Sequence, residues 1–113
     1  MKTVFIAAPF RGSSSWDIEL HIRVAEEVGL DVARLGMVPL IPHTMYRFFQ
    51  GSLSDDFWLS ATTELLRRCD AAIFVGNWRT SAGCAGEMAY AKNHEIPIFY
   101  TLEDLVDWKR GEI

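Results

Sequence analysis

A glutamate within a segment of small residues is the part of this sequence best suited to chemistry. The segment runs Ser81-Ala82-Gly83-Cys84-Ala85-Gly86-Glu87 and follows an apolar run at 71–75. The apolar run predicts a buried strand, and Ser81 is a suitable N-cap for a helix that carries Glu87. Ligands of open α/β folds bind at the carboxyl ends of the strands, so Glu87 is a candidate nucleophile, and small residues such as Gly83 let a flat ligand approach the backbone. The alternative for Glu87 is a solvated glutamate that stabilises the positive end of its helix.

A loop near the start of the chain is the second candidate region. Residues 3–8 are apolar and predict a buried strand, and the loop Ala8-Pro9-Phe10-Arg11-Gly12 follows. Arg11 could bind an anion through two hydrogen bonds, and Gly12 permits a tight turn. The alternative for Arg11 is a surface arginine in a Pro/Gly turn. The chain has no GxGxxG or GxxxxGK[ST] motif, so nothing indicates a dinucleotide or nucleoside triphosphate site.

Further candidates lie in two other loops. Asn77 and Trp78 follow the strand that precedes the glutamate segment, and Trp78 could stack on a base or sugar or serve as an interface or lid residue. His43 and Tyr46 share a loop, and either could contact a ligand. No second His or Cys stands at ligand spacing, so we predict no metal site. Asp70, just before a strand, is interpreted as a structural turn residue.

The elements that must position these residues alternate between strand and helix. The sequence predicts strands at 3–8, 37–41, 71–76 and 96–100, helices at 16–35, 54–68, 81–94 and 102–109, and loops at 9–15 and 42–51. This βαβαβαβα order predicts an α/β fold of the flavodoxin-like or Rossmann-like kind. We expect a parallel sheet of about four to five strands, with helices on both faces. Pro39 favours an edge position for the second strand.

Composition limits the classes of function. The chain has 113 residues, half of them hydrophobic, which predicts one domain over residues 1–113. The net charge of −4 weighs against a nucleic-acid partner. No apolar run approaches the length that spans a membrane, so we expect no membrane partner. Two cysteines outside any CxxC pattern favour a reducing, cytoplasmic location.

The shortness of the chain also favours self-association. Small domains often gain stability by forming oligomers, so we expect a homo-oligomer. Phe57, Trp58 and Leu65 on the predicted helix at 54–68 form one candidate surface.

The same motifs resemble the nucleoside 2-deoxyribosyltransferase-like superfamily, from Val4 to about Phe99. This group includes the transferases, the 2′-deoxynucleoside 5′-monophosphate N-glycosidases and small uncharacterised bacterial and phage domains. The resemblance is carried by Phe5-Ile6-Ala7-Ala8-Pro9-Phe10-Arg11-Gly12, by Cys69-Asp70-Ala71-Ala72-Ile73, and by Ser81-x-Gly83-x-x-x-Glu87-Met88-Ala89-Tyr90-Ala91.

The resemblance implies a function in nucleotide metabolism. Glu87 matches the nucleophile that attacks the anomeric carbon and expels the base, after which water or a second base accepts the sugar. The transferases commonly have aspartate at the position of Ser81, whereas the hydrolases have a serine that helps hold a 5′-phosphate. Arg11 would also hold the phosphate, and Phe10 and Trp78 would flank the base. The partner is then a small nucleotide or nucleoside, and no metal or organic cofactor is required.

One departure from the superfamily favours a second hypothesis. Phe5 stands where the superfamily has a tyrosine that orients the nucleophile, so its hydroxyl is missing here. The alternative is a non-catalytic module that binds a nucleotide or a nucleotide-derived signal in the same pocket. A third hypothesis is an assembly protein that makes contacts through Trp78 and Trp108.

Overall fold

The computed structural model describes residues 1–49 and 51–111. The elements in chain order are β1 (Thr3–Ala7), α1 (Ser15–Arg34), β2 (Val38–Leu40), α2 (Pro42–Tyr46), α3 (Asp55–Arg67), β3 (Ala71–Phe74), α4 (Ala82–Asn93), β4 (Ile98–Phe99) and α5 (Leu102–Lys109). The strands form one parallel sheet in the order β2-β1-β3-β4. The expected edge position of the strand that contains Pro39 is confirmed.

Alternation along β1 sends its side chains into two separate cores. Val4 and Ile6 pack on one face of the sheet against α1 and α5, through Ala25, Val32 and Leu105. Phe5 and Ala7 pack on the other face against α3 and α4, through Leu66, Cys84, Met88 and Ala91. Strands that are buried on both faces read as continuous apolar runs, which is why the sequence identifies β1 and β3 clearly. The predicted α/β fold, with a parallel sheet and helices on both faces, is confirmed.

Serine side chains cap the starts of two helices, and the cap predicted at Ser81 is present. The Ser54 hydroxyl oxygen accepts a hydrogen bond from the Phe57 amide at 3.2 Å, and the Ser81 hydroxyl oxygen accepts one from the Cys84 amide at 3.2 Å. Each bond gives a side-chain acceptor to an amide of the first helical turn, where the regular helical hydrogen bonds have not yet begun. The starts of α3 and α4 are therefore fixed by the local sequence.

The segment at 42–51 differs from its prediction. The sequence predicts a loop here, but residues Pro42–Tyr46 form α2. Proline suits the first turn of a helix because that turn does not use its missing amide, so Pro42 begins the element rather than preventing it. Residue 50 of the predicted loop lies outside the described residues. Strands β3 and β4 are also shorter than predicted, because only Ala71–Phe74 and Ile98–Phe99 remain within the ladder.

Asp70 joins β1 to β3 at the amino-terminal edge of the sheet. Its carboxylate accepts a hydrogen bond from the Thr3 amide at 2.8 Å, and its own amide donates to the Thr3 carbonyl at 2.9 Å. These bonds lie at the end of the strands opposite to the loops that follow them, so Asp70 has the structural position that the sequence suggested.

The proposed oligomer surface is only partly available. Phe57 is exposed, but Leu65 packs against the core beneath α3 and Trp58 lies within a cluster of aromatic rings. In residues 1–49 and 51–111, no helix combines the length and the hydropathy required to cross a membrane. Cys69 and Cys84 are buried free thiols, and burial raises the pKa of each to about 11.

Candidate functional site

The loops after β1 and β3 meet at the carboxyl ends of the two central strands. The sheet order places β2 on one side of β1 and β3 on the other, so the chain reverses its direction of travel between them. Open α/β sheets bind ligands at such a switch point. A cavity of about 730 Å³ opens here, within the range of ~300–1,000 Å³ that is usual for small-molecule sites.

Most of the residues predicted for the site line this cavity. They are Pro9, Phe10, Arg11, His43, Asn77, Ser81, Gly83 and Glu87. The sheet brings the first loop and the start of α4 together because β1 and β3 are adjacent and parallel.

Two residues of the first loop have structural positions instead. Ala8 is buried in the core beside α1 and does not line the cavity. Gly12 is also absent from the cavity wall; a Cβ at this position would lie 2.5 Å from the Cβ of Asp17. Glycine is therefore needed at position 12 because the loop passes directly over the first turn of α1.

Trp78 is placed away from the cavity, so the base contact expected of it is not available in this structure. Its ring stacks on Tyr100 with ring centroids 5.5 Å apart and meets Phe74 edge to face at 5.5 Å. The Arg79 guanidinium lies 4.5 Å from the centroid of the Trp78 ring. A 3₁₀ turn at Trp78–Thr80 directs this side chain toward the core beneath α4, and the sequence contained no signal for that turn.

Glu87 lies in the second turn of α4 and is partly buried in the cavity wall. Burial raises the pKa of its carboxyl to about 8. Burial is the only cause of this rise in pKa. No charged or hydrogen-bonding group among the described residues lowers the pKa again. Water solvates a carboxylate better than an apolar wall does, so the neutral acid predominates near pH 7 and the carboxylate forms as the pH rises past about 8.

Two histidines hold the backbone of the first loop. A ring nitrogen of His43 (Nε2) lies 2.9 Å from the Pro9 carbonyl oxygen, and Nδ1 of His21 lies 3.1 Å from the Phe10 carbonyl oxygen. A carbonyl only accepts hydrogen bonds, so both nitrogens carry the proton and donate it. Burial lowers the pKa of His43, which is therefore neutral near pH 7. Two imidazoles from α1 and α2 thus fix the backbone immediately before Arg11.

Arg11 does not stand free at the cavity. Its guanidinium donates to the Asp55 carboxylate at 2.7 Å, and both side chains are largely exposed. Asp55 is the first residue of α3, so the pair joins the first loop to that helix. Among the described residues that line the cavity, Arg11 is the only lysine or arginine. The cationic group expected to hold a phosphate is therefore already paired with a carboxylate.

Aromatic rings form another wall of the cavity. Tyr46 and Trp58, which line the cavity, have ring centroids 4.9 Å apart, and Phe49, which does not line it, stacks on Trp58 at 5.8 Å. Phe10 packs against His43 with centroids 5.4 Å apart. Burial raises the pKa of Tyr46, so its phenol is neutral near pH 7. This wall offers apolar faces on which a planar group could stack.

Sequence reasoning missed several of the lining residues. They are His21, Pro42, Asp55, Trp58, Leu59, Thr62, Thr80 and Ala82. His21 is in the middle of a helix, and Asp55 is the first residue of α3, where an acid is favoured by the positive helix end alone. Neither has a local signal, because each reaches the cavity only through the packing of α1 and α3 around it. No group of three or more His, Cys, Asp or Glu side chains that could hold a metal ion occurs within the part of the chain that the structure describes.

Comparisons with known proteins identify one family and two solved structures with a similar fold. A family model described as "Domain of unknown function (DUF7768)" matches residues 2–101. A solved 2-deoxyribosyltransferase from the psychrotolerant bacterium Bacillus psychrosaccharolyticus is 19% identical, with a TM-score of 0.61 over 85% of this chain and 69% of that one. A 2-desoxiribosyltransferase from Leishmania mexicana is 20% identical, with a TM-score of 0.61 over 87% of this chain and 62% of that one. The resemblance to the nucleoside 2-deoxyribosyltransferase-like fold is confirmed. No curated protein sequence matches the chain.

Proposed function

The chain belongs to the DUF7768 family of domains of unknown function, and we propose that it cleaves the N-glycosidic bond of a nucleoside or nucleotide, or transfers the deoxyribosyl group. The observation that carries this proposal is Glu87. Its carboxyl is partly buried, has no offsetting partner, and lines a cavity at the switch point of a sheet whose fold is that of 2-deoxyribosyltransferases. Those enzymes supply the reaction class by analogy of fold.

The reaction follows the logic of a double displacement. An oxygen of the Glu87 carboxylate attacks the anomeric carbon, the bond from that carbon to the base nitrogen breaks, and its electron pair leaves with the base. The sugar is then held as an ester on Glu87. Water or a second base attacks the same carbon, and the carboxylate is released. The aromatic wall formed by Tyr46 and Trp58 is suited to stack on the base during these steps.

The raised pKa of Glu87 gives this mechanism a pH dependence. Only the carboxylate is nucleophilic, and its fraction in the free protein increases as the pH approaches and passes about 8. The proposed reaction should therefore show kcat/KM rising with pH to half of its maximum near pH 8 and levelling off about one pH unit higher.

A non-catalytic binding module is the second candidate function, and Phe5 favours it. Its side chain is fully buried in the core that Cys84 and Met88 of α4 also form, so the first strand offers no hydroxyl to orient Glu87. Such a module would hold a nucleotide, or a signal derived from one, in the same cavity without breaking a bond.

One assay separates the two functions. Each 2′-deoxynucleoside and its 5′-monophosphate is incubated with the protein, with and without an acceptor base, and the products are resolved by chromatography. Base release or exchange that is lost in Glu87→Gln supports the enzyme, because the amide keeps the shape and lacks the nucleophile. Glu27→Gln, at an exposed position on α1, is the matched control and should retain the activity. Binding without any base release in the wild type would support the module, and turnover in Glu87→Gln equal to wild type would refute the mechanism.

A further inference from the structure

The pairing of Arg11 with Asp55 leads to an inference about ligand selection. From this pair we infer that Asp55 determines the charge preference of the cavity, as a built-in counter-ion that the phosphate monoester of a ligand must displace from Arg11. The inference rests on the proposed function, because it concerns the ligand of the same cavity. It assigns to Asp55 a part in specificity that its position at a helix start did not suggest.

The two partners are anchored independently of each other. The Ser54 cap fixes the first turn of α3, where Asp55 stands. The bonds from His21 and His43 to the carbonyls of Phe10 and Pro9 fix the backbone just before Arg11. Neither backbone has to move for the ion pair to open, so exchange of partners requires only side-chain rotation.

Separating Arg11 from Asp55 also requires little free energy. The Arg11 and Asp55 side chains are 70% and 63% exposed. Exposed ion pairs contribute little, because water and salt screen the attraction. A phosphate dianion carries more charge than a carboxylate and offers more acceptor oxygens, so it can replace Asp55 at the guanidinium.

Few other cationic groups line the cavity, so the partner of Arg11 controls how strongly the cavity attracts an anion. Arg11 is the only lysine or arginine among its described lining residues, and His43 is neutral near pH 7. With Asp55 in place, part of the Arg11 charge is offset, so the preference of the cavity for an anionic ligand over a neutral nucleoside is reduced. Without the Asp55 carboxylate, the free guanidinium and the amides at the start of α4, beside Ser81, would favour an anionic ligand more strongly.

The test compares two neighbouring acids on the same helix turn. Asp55→Asn removes the counter-ion, and Asp56→Asn removes an equal charge from the next residue, for which the structure records no ion pair to Arg11. Wild type and both variants are titrated by calorimetry at one ionic strength with the four 2′-deoxynucleosides and their 5′-monophosphates. Because an exposed pair is worth little, we expect Asp55→Asn to tighten monophosphate binding about 2- to 5-fold with nucleoside binding unchanged. Asp56→Asn should change both ligands by less than about 1.5-fold.

The outcomes separate this inference from the proposed function. Monophosphate binding that is equal in Asp55→Asn and Asp56→Asn, or weaker in Asp55→Asn, overturns the role of Asp55 and leaves the proposed function standing. Failure of every protein to bind any nucleoside or monophosphate overturns both. Adding Arg11→Ala to Asp55→Asn should abolish the tighter binding of the monophosphates. Tighter binding that persists in the double variant would overturn the inference, because Asp55 would then act on a group other than Arg11.

Discussion

Replacement of Glu87 by glutamine should stabilise the protein, and the gain should grow with pH. The folded protein retains the Glu87 proton up to about pH 8, whereas the unfolded chain releases it near the ordinary value of 4.5. Between these values the folded state binds more protons, so this group makes wild-type stability fall as the pH rises. A shift from 4.5 to about 8 corresponds to about 5 kcal/mol once both states are ionised. We expect Glu87→Gln to exceed wild type by about 1 kcal/mol near pH 5, about 3 near pH 7 and about 5 near pH 8.5.

Urea unfolding followed by tryptophan fluorescence measures this difference at each pH. Glu27→Gln, on the exposed face of α1, serves as the control and should differ from wild type by less than about 0.5 kcal/mol at every pH. The slope of the difference is the diagnostic quantity, because an amide that merely packs better would add a constant. A difference between Glu87→Gln and wild type that does not change from near pH 5 to near pH 8.5 would refute the burial of this carboxyl.

The remaining predictions address the cap, the phosphate, His43 and the oligomer. Ser81→Ala removes the hydroxyl that caps α4 and should cost about 1 kcal/mol in urea unfolding; an unchanged midpoint would contradict the cap. Nucleoside 5′-monophosphates should bind about tenfold tighter than nucleosides, by calorimetry, because the hydroxyl of Ser81, the helix start and Arg11 favour an anion; equal affinities in wild type, Ser81→Asp and Arg11→Ala would refute this. Burial lowers the pKa of His43 below 6.5, so stability should fall as the pH drops below about 6.5, and His43→Gln should flatten that fall. Light scattering at micromolar concentration should give a mass above the monomer, since Phe57 leaves an exposed apolar surface; a monomer mass would contradict self-association.

The fold could be predicted from the sequence because its signals are local. The runs around Val4 and Ile73 are buried on both faces and therefore apolar throughout, and Ser81 caps α4 as expected. Pro39 indicated an edge strand for the equally local reason that proline lacks an amide for the ladder. The loop predicted at 42–46 is wrong because a proline and a histidine suit both a turn and a short helix, and the segment packs against α1 as a helix.

The candidate site could be predicted only in part. The sequence placed Glu87, Ser81 and Arg11 after the strands that turned out to be neighbours, since order along the chain is enough to identify the rim of a parallel sheet. The position of Trp78 was not predictable, because a single 3₁₀ turn directs its ring onto Tyr100 and away from the cavity.

The sequence by itself determined the elements, the parallel sheet and the presence of an acid at its carboxyl edge, because these depend on periodicity, caps and chain order. Only the tertiary structure decided the chemical state of that site. The high pKa of Glu87 depends on burial, and the pairing of Arg11 with Asp55 depends on the approach of two segments that are distant in the chain. Desolvation and ion pairing arise from neighbours in space, and no pattern along the chain encodes them.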